Sequence, residues 1–141
     1  MYSSDTIKAC AEECKRQNSG EMSVFHLCEA LDYLSSKDEI FVTRGLILIL
    51  GRIVEPVKNQ NGLRCVPVVF GNGTSAIPAE NVSRALNNLI ENQANFSADD
   101  FYKEFEVIHP FVDGNGRVGF LLWNWMKGTL NNPKPAPKLF S

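Results

Sequence analysis

The segment His109-Pro110-Phe111-Val112-Asp113-Gly114-Asn115-Gly116-Arg117 constrains the fold more than any other part of the chain. It separates two stretches of helical periodicity and can continue neither. Pro110 has no amide hydrogen and its ring clashes with a preceding helical turn, so it ends the incoming helix just after His109. Gly114 and Gly116 let the backbone curl closely and tolerate positive φ. The incoming helix is opened by Ser97 as its cap and carries Phe101, Phe105 and Ile108 on one stripe. The outgoing helix starts near Gly116, turns Val118, Leu121, Leu122, Trp125 and Met126 to a core, and ends near Gly128. The chain must therefore make a sharp bend between two packed helices.

The remaining punctuation predicts more helices. A first runs from about Thr6 to Gln17, capped by Asp5 and stopped near Gly20. A second covers Met22 to Leu34, with Val24, Leu27, Leu31 and Leu34 at helical spacing. Ser36 followed by Glu39 reads as a capping box that opens a third, Lys37 to Val54, closed by Pro56. Its outward sector is expected to hold Lys37, Arg44, Gly45, Gly51, Arg52 and Glu55. Leu63 to Phe70 reads as a short edge strand, marked as such by Pro67, and Gly71-Asn72-Gly73 turns it into a hairpin. Pro78 precedes a fourth helix, with Val82, Ala85, Leu86, Leu89 and Ile90 on one stripe. The fold class is mainly α, with a small β-hairpin. With 141 residues the chain suits a single domain: N-terminal helices 6–34, a core of about 36–128, and a proline-rich tail 129–141, extended or loose.

Composition excludes some partners. A formal net charge of -2 leaves no basic footprint for nucleic acid. The longest apolar run, Leu46 to Leu50, is far shorter than the ~20 residues that span a bilayer, so no membrane role is expected. Met1-Tyr2-Ser3-Ser4-Asp5 lacks the pattern of a signal peptide, and Cys10, Cys14, Cys28 and Cys65 fit no familiar zinc spacing. Both point to reduced thiols and a cytoplasmic setting, or a host cytosol for a delivered protein.

The bend carries the chemistry. Its exposed amides open a new helix, whose positive dipole end favours an anion. Arg117 in the first turn can fork onto phosphate oxygens. Asp113 is a hard oxygen ligand suited to Mg²⁺, and His109 at the rim titrates near neutrality. Two other readings fit less well. Gly114-Asn115-Gly116-Arg117-Val118-Gly119 matches a dinucleotide fingerprint, but a helix precedes it instead of a strand. Asp113 to Asn124 has the length of a calcium loop but ends on Asn124 where that loop needs a bidentate Glu. A plain glycine turn, with His109 as a cap, needs none of these groups together.

Phe105 to Arg117 closely resembles the signature of the Fic family, His-Pro-Phe-x-(Asp/Glu)-Gly-Asn-Gly-Arg-x-x-Arg. The wider resemblance runs from about Ser36 to Gly128 and includes a hairpin flap at Arg64 to Pro78. The resemblance implies a Fic-type helical domain that transfers AMP, or another nucleotide-derived phosphate group, from ATP or another nucleotide to a Tyr, Thr or Ser hydroxyl of a target protein. It implies His109 as general base, Asp113 as the Mg²⁺ ligand, Gly114, Asn115 and Gly116 as the anion-binding turn, and Arg117 on a donor phosphate. Phe111 would anchor the loop, and Val66, Val68 and Phe70 of the flap would dock the target segment by strand addition.

Two departures from that signature bear on the donor. Phe120 stands where the signature has its second Arg, and the helical wheel turns Phe120 to the donor site, where the family keeps a cation for the terminal phosphate. The family's inhibitory Ser/Thr-x-x-x-Glu-Gly/Asn helix is approached only by Ser35 to Glu39, where Ile40 follows. Control by a separate inhibitory or antitoxin protein is compatible with that. A protein kinase related to the Doc toxins and a non-catalytic Fic-fold binding module remain the alternatives.

Overall fold

A computed structural model describes residues 3–138; Met1, Tyr2 and residues 139–141, with the very start of the chain and the end of the proline-rich tail, lie outside them. Six helices follow one another: α1 (Ser4–Arg16), α2 (Glu21–Ser35), α3 (Arg44–Val54), α4 (Ala79–Glu91), α5 (Ala98–Ile108) and α6 (Asn115–Lys127). A single 3₁₀ turn, Gln93–Asn95, joins α4 to α5. The fold is helical, as expected. No helix among the described residues is long and apolar enough to cross a membrane.

α6 is the hub. It packs on α5, α3 and α2, and nearly its whole length is buried. Leu121 and Leu122 meet Leu27, Leu34, Ile47, Leu50, Phe101 and Phe105 in one core. A helix covered on all sides must be apolar all round or satisfy its polar groups internally. Asn124 does the latter, holding Lys134 of the tail through both its amide nitrogen (3.0 Å) and its carbonyl oxygen (2.8 Å). Residues 133–138 form no regular element.

Two helix starts differ from expectation. α1 is capped by Ser3, whose Oγ accepts from the Thr6 amide at 3.1 Å; Asp5 instead sits in the first turn, where the helix dipole favours it. α3 begins at Arg44, not Lys37. Ser36 is the C-cap of α2, its hydroxyl donating to the Tyr33 carbonyl at 2.6 Å, and Thr43 Oγ1 caps α3 through the Leu46 amide at 3.0 Å. Val42 between them is held extended by Gln93, which accepts from its amide (2.9 Å) and donates to its carbonyl (2.7 Å). Gly51, expected on the outward sector of α3, is buried against the Phe111 ring.

The hairpin is smaller than expected. It keeps one antiparallel bridge, Val69 to Ser75, flanked by Phe70 N–H to Thr74 O (2.7 Å) and Ala76 N–H to Val68 O (3.0 Å). Leu63 to Pro67 form no strand. Pro67 lacks a donor, and the Val66 carbonyl is taken by the Arg64 guanidinium at 2.9 Å, so no ladder can extend. Cys10, Cys14 and Cys28 are buried in the core, and burial raises all three thiols above their ordinary range, Cys14 to about 11.

Candidate active site

α5 delivers His109 as its C-terminal cap in the left-handed conformation, φ 49° and ψ 65°. That geometry swings the chain off the helix axis just before Pro110. His109 Nδ1 lies 2.9 Å from the Glu106 carbonyl oxygen. A carbonyl can only accept, so Nδ1 carries the proton and Nε2 keeps a free lone pair. Burial lowers the imidazole pKa, the Arg64 charge adds to this, and the Glu106 carbonyl and Asp113 act in the opposite sense. The net effect leaves His109 neutral at pH 7. Phe70 sets its ring at 90° to the imidazole, centroids 4.9 Å apart.

Arg64 ties the flap segment to the bend. Its buried guanidinium donates to the carbonyls of His109 (2.6 Å), Ile108 (3.1 Å), Ile77 (2.6 Å) and Val66 (2.9 Å), and its amide to Pro110 O (2.9 Å). The bend itself is closed from inside. The Asn115 side chain accepts from the Phe111 amide (2.8 Å) and donates to the Phe111 carbonyl (2.9 Å), while Phe111 is buried over Gly51. Asn59 donates to Gly51 O (2.9 Å) and Asp113 O (2.8 Å). Gly114, at φ 80°, is the N-cap of α6 and provides no side chain to cap it. The first amides of α6 therefore have no side-chain cap, and Asn115 and Gly116 line a cavity.

Asp113 borders the same cavity. Its Oδ1 accepts from the Gly114 amide and its Oδ2 from Lys58 Nζ, both at 2.8 Å. Burial raises the carboxyl pKa, but these two bonds and the Lys58 and Arg117 charges outweigh it, and the group stays ionised. Asp113 fits a divalent cation beside phosphates. It is a half-exposed carboxylate beside the amides that open α6, and its side-chain partner at Oδ2 is the exposed, displaceable ammonium of Lys58.

Arg117 is placed differently from expectation. Its side chain is 2% exposed and its fork is already used: Nη2 lies 2.9 Å from Glu55 Oε2 and Nη1 3.3 Å from Val54 O. Nη2 also lies 3.5 Å from Asp113 Oδ1, and Nε is buried without a partner. The guanidinium is thus held by the protein itself on both of its Nη atoms.

The cavity holds about 180 Å³, bounded by the bend, by Glu106 and His109, by Val68, Val69 and Val112, and by Gln17. Binding pockets for whole ligands run to roughly 300 Å³ and above. This one has room for a group of phosphate size, and a whole nucleotide would fit only with a shift of Gln17 or the flap. The Gln17 amide lies so close to Gly116 that a Cβ there would overlap it.

The sequence model of the Fic/DOC family matches residues 43–126. The chain belongs to the Fic/DOC family. It is also 41% identical over 64 residues to a protein of Aquifex aeolicus (strain VF5) named as a probable protein adenylyltransferase. That match covers 40% of this chain and 20% of the relative, so the chain spans about a fifth of the relative's length. The segment matching the Fic/DOC family starts at α3. Gln17 and Glu13, which reach the cavity wall and Glu106, come from α1, outside the match.

The bend of this Fic/DOC protein thus brings together His109, Asp113, Gly114, Asn115, Gly116 and Arg117, with Val68 opposite. Val66 is exposed and does not border the cavity, and Phe70 is buried on His109. Phe120, expected to face the donor site, does not; it is 1% exposed in the core that includes Cys10 and Cys14. A helical wheel of α6 contains no other element, and Phe120 shares its core with Cys10 and Cys14 of α1. Arg64, Asn59, Glu106 and Gln17 went unread. Only Glu106 had a signal, its i, i+3 spacing to His109 on a helix.

Proposed function

We propose that this chain is a Fic-type transferase that moves AMP, or another nucleotide-derived phosphate group, from a nucleotide donor to a Tyr, Thr or Ser hydroxyl of a target protein. The observation that supports it is the shared cavity: the uncapped amides at the start of α6 face the same space as an imidazole with its Nε2 lone pair free. His109 Nε2 takes the hydroxyl proton as the target oxygen bonds to the donor phosphorus, and the remaining phosphate leaves with the bond electrons. Asn115 and Gly116 would offer their amide hydrogens to the donor phosphates, and Gly114 would do so on release from Asp113 Oδ1. Asp113 would hold Mg²⁺ after Lys58 swings away; the ion neutralises phosphate charge. The flap edge at Val68 and Val69, with Val66 beyond, would receive the target's extended segment.

One observation favours a second reading. Phe120 lies in the core, and no cation stands at its position to hold a terminal phosphate. A phosphoryl transferase is compatible with that. Incubation of candidate targets with labelled nucleotides and Mg²⁺, followed by intact-mass measurement, separates a nucleotide adduct from a phosphate adduct. Equal labelling by wild type and His109→Ala would remove His109 from the mechanism.

A further inference from the structure

Among the described residues, two buried side-chain polar atoms have no partner: Glu106 Oε1 and Arg117 Nε. Both residues border the cavity at the bend. An unpaired cation atom beside an anion site needs no special account. An unpaired carboxylate does, because as an anion it would repel the phosphate the site is built to hold.

Glu106 is 7% exposed. Its Oε1 is pressed toward Gly119 of α6, where a Cβ would come within 2.9 Å of it. Its Oε2 lies 4.0 Å from His109 Nδ1, and Glu106 itself lines the cavity. Across from it stands Glu13 of α1, whose oxygens are both bonded, one by Arg16 (2.6 Å) and the other by Gln17 (2.7 Å). Of the two neighbouring carboxyls, the one with partners is Glu13 and the one without is Glu106. Burial and then the Glu13 charge push the Glu106 carboxyl up to about 7.

We propose that Glu106 is a donor-binding residue that acts as a neutral acid: its Oε2–H donates a hydrogen bond to a phosphate oxygen lodged at the bend, so that donor binding above neutral pH takes up a proton there. The proposal rests on the reading of the bend as a nucleotide-phosphate site. The groups facing Glu106 are Glu13 and its partner Arg16 from α1, Tyr102 and His109 from α5, Arg117 from α6, and Asp113 from the bend. His109 is depressed below 6.5, Asp113 below 3.8, and Tyr102 is raised above 10, so none of these three changes charge between pH 7 and 9.

The test is calorimetric titration of ATP with Mg²⁺ from pH 7 to 9, in buffers of different ionisation enthalpy. For wild type, affinity should fall by about tenfold or more over that range, with about one proton taken up per nucleotide at the alkaline end. Glu106→Gln fixes the neutral form, so its affinity should stay level across the range and exceed that of wild type at pH 9. Glu13→Gln removes the neighbouring charge, so the onset of the wild-type decline should move to lower pH. A wild-type slope and proton count retained in Glu106→Gln would overturn the proposal. So would wild-type affinity that is independent of pH, which would leave the proposed function standing. No nucleotide binding by wild type at any pH would overturn the proposed function itself.

Discussion

Four residues carry measurable parts of this account. His109, the proposed base, is held neutral by burial, so its contribution to transfer should be present at pH 7 and lost as pH falls through a value below 6.5. His109→Ala should lower the transfer rate by about 10²-fold or more while leaving nucleotide affinity nearly unchanged, read as kcat against Kd. Gly51 has no room for a side chain against Phe111, so Gly51→Ala should cost about 1–3 kcal/mol in denaturant unfolding. Arg64 satisfies four carbonyls from a buried position, and Arg64→Ala should cost about 3 kcal/mol and loosen the flap segment, seen as faster amide exchange over 66–77. Glu106 is raised in the folded state, so its contribution is present at low pH and lost as pH rises to about 7. At pH 8, Glu106→Gln should unfold at higher temperature than wild type, by up to about 3 kcal/mol of stability.

At the scale of elements, α1 and the flap decide how much of the site is open. Gln17 lies over Gly116 and donates to Glu13 at 2.7 Å, a bond to a carboxylate that a donor must break to reach the amides. Gln17→Ala should therefore tighten Mg-ATP binding by about tenfold, measured by calorimetry at constant pH. The same elements explain what the sequence showed. α4, α5 and α6 were legible because Pro78, Ser97, Pro110 and Gly128 punctuate them locally. The start of α3 was not. Ser36 reads as the cap, and the later start at Thr43 depends on Gln93, a side chain 51 residues from Val42. The hairpin shrank because the Arg64 guanidinium takes the Val66 carbonyl. Arg117 and Phe120 were misplaced for a related reason: Glu55, the C-cap of α3, and the α1 cysteines that share the Phe120 core are distant in sequence, and a helical wheel contains neither.

At the scale of the molecule, a core built around α6 fixes the bend, and the bend fixes the chemistry. α5 and α6 are the most closely packed pair, and the nine residues from His109 to Arg117 are pinned by Asn59, Arg64 and Asn115 rather than by their own stiffness. The backbone of the bend proposed to hold the donor is thus set by the fold, which is what charge stabilisation by positioned amides requires. The most direct test is a titration of Mg-ATP into ¹⁵N-labelled protein, followed by amide NMR. The account predicts that the Gly114, Asn115 and Gly116 amides shift first and most, together with the His109 imidazole. Saturable nucleotide binding that leaves those three amides unmoved would contradict it.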